Sequence, residues 1–117
     1  MLKTILVILL GVFFVLNGFN HLFNSHILEE YAHKRGLISP RLMVLLSGLL
    51  LIFGGLTLIT GFLSLLGIAG LSIFLVVSAI TIHQFWAETD ANMRMLEAMH
   101  FTKNMAILTE LLYLAAG

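Results

Sequence analysis

Four runs of apolar residues, at about 4–23, 41–60, 64–86 and 101–116, take up most of this 117-residue chain. A run of twenty helical residues rises about 30 Å at 1.5 Å per residue, close to the thickness of a bilayer's hydrocarbon core. The expected fold class is therefore all-α, a polytopic membrane four-helix bundle, with the whole chain forming one transmembrane domain. With 60% hydrophobic and 10% charged residues, the chain has too few charges to present an ordinary water-facing surface. Lys and Arg total six and Asp and Glu also six, so no basic excess recruits nucleic acid, and a lipid membrane is the expected partner. The chain has no cysteine, which excludes disulfides, thiolate metal sites and thiol relays.

The breaks between runs define the hairpins. Ser39-Pro40 reads as a helix cap followed by proline at the first helical position. Gly61-Phe62-Leu63 is a turn short enough to make the second and third runs an antiparallel hairpin. The N-terminal run has the basic and apolar regions of a secretory signal, yet Asn17-Gly18-Phe19-Asn20-His21 offers no small-x-small cleavage pattern, so it is expected to be a retained span. In the fourth run, Leu, Ile and Phe each favour insertion by about 0.3–0.6 kcal/mol, while a central Glu110 costs on the order of 2.5–3.5 kcal/mol. That helix is expected to insert alongside its neighbours with Glu110 turned inward.

Residues 25–36 and 88–100, in the first and third connections, read as short amphipathic interfacial helices, with Gly36 as a stop and Glu88, Thr89 and Asp90 as an acidic start. Their side of the membrane carries Lys34, Arg35, Arg41, Arg94 and Lys103, against Lys3 on the other. The positive-inside tendency places the connections in the cytoplasm and both termini outside.

The few polar residues within the runs gather toward that same end. Asn17, Asn20, His21 and Asn24 recur at i, i+3, i+4 and i+7 on one stripe of the first helix. His100, Lys103, Asn104, Ile107 and Glu110 make a matching stripe on the fourth, and His83 closes the third. Asn and Ser in such places commonly bridge helices, for about 0.6 kcal/mol each. Ionisable groups are costlier and mark ligand or proton paths, which singles out His21, His83 and Glu110. Among the five histidines no pair has i, i+4 or His-Glu-x-x-His spacing, so neither a metal nor haem is expected. The Met93, Met95, Met99 and Met105 set reads as flexible packing rather than a copper(I) site. Gly11 with Gly18, Gly48 with Gly55, and Ser47 with Gly54 and Gly61 recur at seven residues, seams along which helices approach closely. Gly67 and Gly70 read the same way.

Gly18-Phe19-Asn20-His21, Ser47-Gly48 with Gly54-Gly55, His83-Gln84-Phe85-Trp86 and Phe101-Thr102-Lys103-Asn104 together resemble the DoxX-like family of small integral membrane proteins. The resemblance extends over nearly the whole chain, with His-x-Phe-Trp followed by Phe-x-Lys-Asn as its most specific part. It implies a four-helix membrane bundle in the inner (plasma) membrane of a prokaryote. Family members are associated with quinone-linked thiosulfate oxidation, with redox-stress complexes and, in animals, with receptor assembly. The implied role is an accessory subunit of a quinone-linked redox system rather than a self-sufficient oxidoreductase, since no electron-carrying cofactor is encoded.

On that view Asn17, Asn20, His21, His83, Trp86, Lys103, Asn104 and Glu110 line a pocket for a quinone or lipid-like ligand between helices one, three and four. His21 and His83 would bond a carbonyl or relay a proton, Phe85 and Trp86 would pack a ring, Lys103 and Asn104 would hold the head, and Glu110 would tune or receive a proton. Thr109-Glu110 departs from the small or apolar residues expected there and points to a specialised pocket. The competing expectation is a non-catalytic scaffold or assembly factor whose partner is another membrane or redox protein, or a second copy in a homo-oligomer. A transporter is disfavoured by the lack of an inverted repeat.

Overall fold

The computed structural model describes residues 1–37 and 39–117. Its helices are α1 (Leu2–Phe23), α2 (Ser25–Lys34), α3 (Pro40–Thr60), α4 (Ser64–Thr81) and α5 (Ala91–Ala116), with a 3-10 turn at Phe85–Ala87. The chain is all-helical as expected, because in hydrocarbon only a helix satisfies its own backbone amides locally. Three stretches are long and apolar enough to cross a membrane: Leu2–Phe23, Pro40–Thr60 and Ser64–Ala87. The contacts divide the backbone into two compact units, Met1–Leu71 and Ser72–Gly117, with the division falling inside α4.

The first unit is organised by backbone contact between α1 and α3. A Cβ on Gly11 would lie 2.6 Å from the carbonyl oxygen of Gly55, and one on Gly18 would lie 2.6 Å from that of Gly48. Moving seven residues up α1 moves seven down α3, which is the register of an antiparallel pair. Dispersion and close packing drive association where lipid is as apolar as leucine, so missing side chains are what allow the two backbones to meet. On the other side of α3, Gly54 receives Leu71 and Gly67 faces Thr57, bringing the start of α4 close in the same way.

Chain punctuation follows local chemistry. α2 ends in a Schellman motif: Gly36 at φ 77° donates its N–H to His33 O at 3.0 Å, and Leu37 donates to Ala32 O at 3.2 Å. Gly61, at φ 78°, closes α3 by donating to Thr57 O at 2.9 Å. Ser39 does stand at the N-cap of α3 with Pro40 following, but it is left-handed at φ 51° and its hydroxyl makes no capping bond. The proline, rather than a serine hydroxyl, is the start device here.

The second unit departs from the expected layout. Residues 88–100 do not form a separate interfacial helix: α5 runs unbroken for 26 residues, about 39 Å. No Gly or Pro occurs from 91 to 116, so nothing interrupts it. Asp90 caps it by accepting the Met93 N–H at 3.0 Å, and the Arg94 guanidinium donates to Glu88 O at 3.1 Å and Thr89 O at 3.4 Å. α4 stops earlier than the apolar run does. The Gln84 amide donates to Ile80 O at 3.1 Å, satisfying a carbonyl that a continued helix would have used, and the His83 N–H turns back to Ser78 O at 3.2 Å, which also accepts the Ile82 N–H at 2.9 Å.

Gly18→Val and Gly55→Val should each lower the thermal midpoint in detergent, by an overpacking cost of about 1–3 kcal/mol. Gly70→Ala should change it little, because its Cβ would meet the far end of the flexible Leu50 side chain at 2.8 Å.

Candidate functional site

α5 buries Glu97, Asn104 and Leu111 at seven-residue spacing, so a carboxylate and an amide occupy the buried row of a helix. Glu97 is 1% exposed and Asn104 is 5% exposed. Burying a carboxylate is costly unless something compensates it, and the observed neighbour is His83, whose Nδ1 lies 3.5 Å from Glu97 Oε2. Termination of α4 makes this approach available, since His83 stands just beyond the last helical turn. Its ring stacks on that of His100, with centroids 5.0 Å apart and 27° between planes.

Three aromatic rings lie on the same short segment and the same part of α5. Phe85 meets Trp86 at 5.1 Å and Phe101 at 5.4 Å, and Trp86 meets Phe101 at 5.8 Å, all edge to face. Edge-to-face pairs of this kind contribute about 0.5–1.5 kcal/mol beyond burial. Trp86 remains 55% exposed, so the cluster presents a large aromatic face outward. The two sequence segments that carried the resemblance, His83 to Trp86 and Phe101 to Asn104, are thus neighbours within one unit.

Glu97 is absent from the residues singled out in the sequence, and His100 stands there on the stripe but not among the pocket residues, although a pattern points to both. Glu97 precedes His100 by three, Phe101 by four and Asn104 by seven, all within reach on one helix face. It was assigned to a connection because it lies before the apolar run. Lys103 and Glu110, by contrast, are exposed and stand off that row. Successive helical residues are rotated by about 100°, so Lys103 lies a quarter turn from the row of Glu97, Asn104 and Leu111, with Glu110 above it. Asn104, a member of the stripe read from the sequence, lies in the buried row, and Lys103 and Glu110 lie beside it.

In the first unit, His21 Nδ1 meets Ser47 Oγ at 2.8 Å, and the Ser47 hydroxyl donates to Val44 O at 2.8 Å. A serine hydroxyl has one proton; with that proton on Val44 O, its oxygen accepts, and His21 is the donor through Nδ1. The glycine seam makes the contact possible, because a Cβ on Gly48 would come within 2.9 Å of His21 Cβ. The other members of the α1 stripe bond along their own helix: Asn17 Nδ2 donates to Phe13 O at 2.9 Å, and Asn24 Nδ2 to Asn20 Oδ1 at 2.5 Å. The α1 group and the α5 group belong to different units. Among the described residues, no three His, Cys, Asp or Glu side chains gather so as to hold a metal ion.

Three stretches of spanning length and composition define an integral membrane protein. Residues 2–84 match the model of the DoxX family, and the chain belongs to that family. The match covers α1 to α4 and stops at Gln84, short of the near-complete coverage expected from the sequence. No curated protein matches the chain. No solved structure matches it either.

Nitrogen-15 spectra of histidine-labelled protein should show His21 fixed as the Nδ1–H tautomer. Ser47→Ala should return that signal toward the Nε2–H form usual for free histidine, and cost about 0.6 kcal/mol of stability.

Proposed function

We propose that this DoxX-family protein is an accessory subunit of a membrane redox system, binding the ring of a quinone or a similar amphipathic lipid at the His83 cluster. The observation that carries this reading is the buried Glu97 carboxylate facing His83 beside an outward aromatic cluster. That combination of a few convergent polar groups against apolar and aromatic walls is the usual make-up of a small-molecule site. In this reading His83 engages the ring oxygen, Phe85, Trp86 and Phe101 pack the ring plane, and Asn104 supplies a further polar contact. His21 and its α1 neighbours Asn17 and Asn20 stand as a second polar group, in the first unit. α5 serves as the fourth span of the bundle, in an inner (plasma) membrane.

A second reading, as a scaffold or assembly factor, is favoured by Lys103 and Glu110. Both are exposed on α5, seven residues apart along one row. A spanning helix leaves ionised groups toward lipid only at a cost on the order of 2.5–3.5 kcal/mol each, so a partner helix or a second copy would cover them.

Trp86 is the chain's single tryptophan and therefore reports on the site directly. Titration of the detergent-solubilised protein with a short-chain benzoquinone, and separately with its hydroquinone, should change Trp86 emission saturably with at least one form. His83→Ala should weaken that saturation by about tenfold or more, the equivalent of about 1.4 kcal/mol. A change that stays linear with concentration in the native protein and the variant alike means collisional quenching, and would leave the scaffold reading standing.

A further inference from the structure

The two nitrogens of the His83 ring stand in different surroundings. Its Nδ1 is buried without a formed hydrogen bond, and the Glu97 carboxylate is its ion-pair neighbour at 3.5 Å, while the side chain as a whole keeps 17% of its surface. The accessible part of the ring therefore excludes Nδ1, and a ligand meets the imidazole from the opposite edge, where Nε2 lies. Stacking on His100 at 27° resists rotation of the ring about its long axis, so the two nitrogens keep their assignments.

The identity of the partner fixes the chemistry of the free edge. A carboxylate offers lone pairs only, so the proton of a neutral His83 ring belongs on Nδ1, where Glu97 attracts it. Nε2 then presents a lone pair. A histidine in this form cannot donate to a carbonyl oxygen; it can only accept.

We infer that the His83 site is a hydrogen-bond acceptor, selecting the ring hydroxyl of a hydroquinone or phenol over the carbonyl of the oxidised ring. The inference rests on the ring-binding reading above and refines it: carbonyl recognition by His83, expected from the sequence, gives way to hydroxyl recognition. Glu97 is a positioning residue in this scheme, holding the proton on Nδ1 without touching the ligand. The aromatic faces of Phe85, Trp86 and Phe101 bind either oxidation state of a ring, so the preference arises at His83. Sites that pair a buried polar group with a ligand hydroxyl discriminate strongly against analogues lacking it, because the protein group is then left unpaired.

Three probes separate the alternatives: a short-chain hydroquinone, the matching quinone, and the hydroquinone's bis-O-methyl ether, which keeps the ring but has no donor. Equilibrium dialysis of the full chain in detergent under argon, with each probe quantified chromatographically, gives three dissociation constants on one native protein. The hydroquinone should bind about tenfold or more tighter than both the ether and the quinone. Glu97→Gln should narrow that preference while ring binding persists, and in histidine-labelled protein it should shift the His83 nitrogen signals away from the Nδ1–H form. Binding of the quinone equal to or tighter than the hydroquinone would overturn the acceptor assignment and leave the ring site intact. Absence of binding by all three probes would overturn the ring site itself, and with it this inference. The comparison among probes is made on the native chain, so it stands even where the Glu97 variant fails to fold.

Discussion

The contact between the backbones of α1 and α3 is the arrangement on which the first unit depends, and it follows from what a membrane withholds. Inside lipid, burying a leucine against another helix gains little over leaving it against acyl chains, so helices must find attraction in dispersion at short range. Gly11 against Gly55 and Gly18 against Gly48 supply that range, with each position closed to a Cβ by a carbonyl oxygen of the other helix. Once the two axes are that close, the side chains beside the seam have fixed neighbours. His21 reaches Ser47 because Gly48 lies beneath it, so the polar bond depends on the apolar packing and not the reverse.

A different constraint governs the second unit. Glu97 is buried at 1% exposure on α5, and a carboxylate in such a place requires a donor or a cation nearby. The chain provides His83 by ending α4 short of its apolar run and turning the backbone through the 3-10 segment Phe85–Ala87. That termination is itself managed by the side chain of Gln84, so the helix stop, the histidine position and the compensation of the carboxylate are one linked set. Aromatic rings on both sides of the turn then pack edge to face on one another and leave Trp86 outward.

The parts of this architecture legible in the sequence were those encoded by period and length. Seven-residue glycine spacing anticipated close approach along α1 and α3, apolar run length anticipated the three spanning stretches together with a fourth at 101–116 that is not among them, and Gly36 marked the end of α2. What the sequence hid was rotational phase and helix continuity. The stripe read on α5 joins Asn104 to Lys103 and Glu110, whereas the buried row runs through Glu97, Asn104 and Leu111, and one residue of shift turns the face by about 100°. Hydropathy broke α5 at residue 101, where its charged first half gives way to an apolar second half. The backbone has no reason to break there, since neither glycine nor proline intervenes. Glu97 was lost at that false boundary.

The extent of the family match now takes on a physical meaning. Residues 2–84 comprise the glycine-packed scaffold and end at Gln84, the residue whose side chain stops α4. Everything that turns His83 from a buried imidazole into an acceptor with a fixed proton lies beyond that point: Glu97, the stacked His100, and the rings of Phe85, Trp86 and Phe101. The match thus takes in the glycine-packed helices and His83 itself, while the groups that surround His83 follow it in the chain. The cluster's properties must be argued from its own geometry, in which a single carboxylate on α5 decides which edge of His83 carries a proton and which edge can receive one.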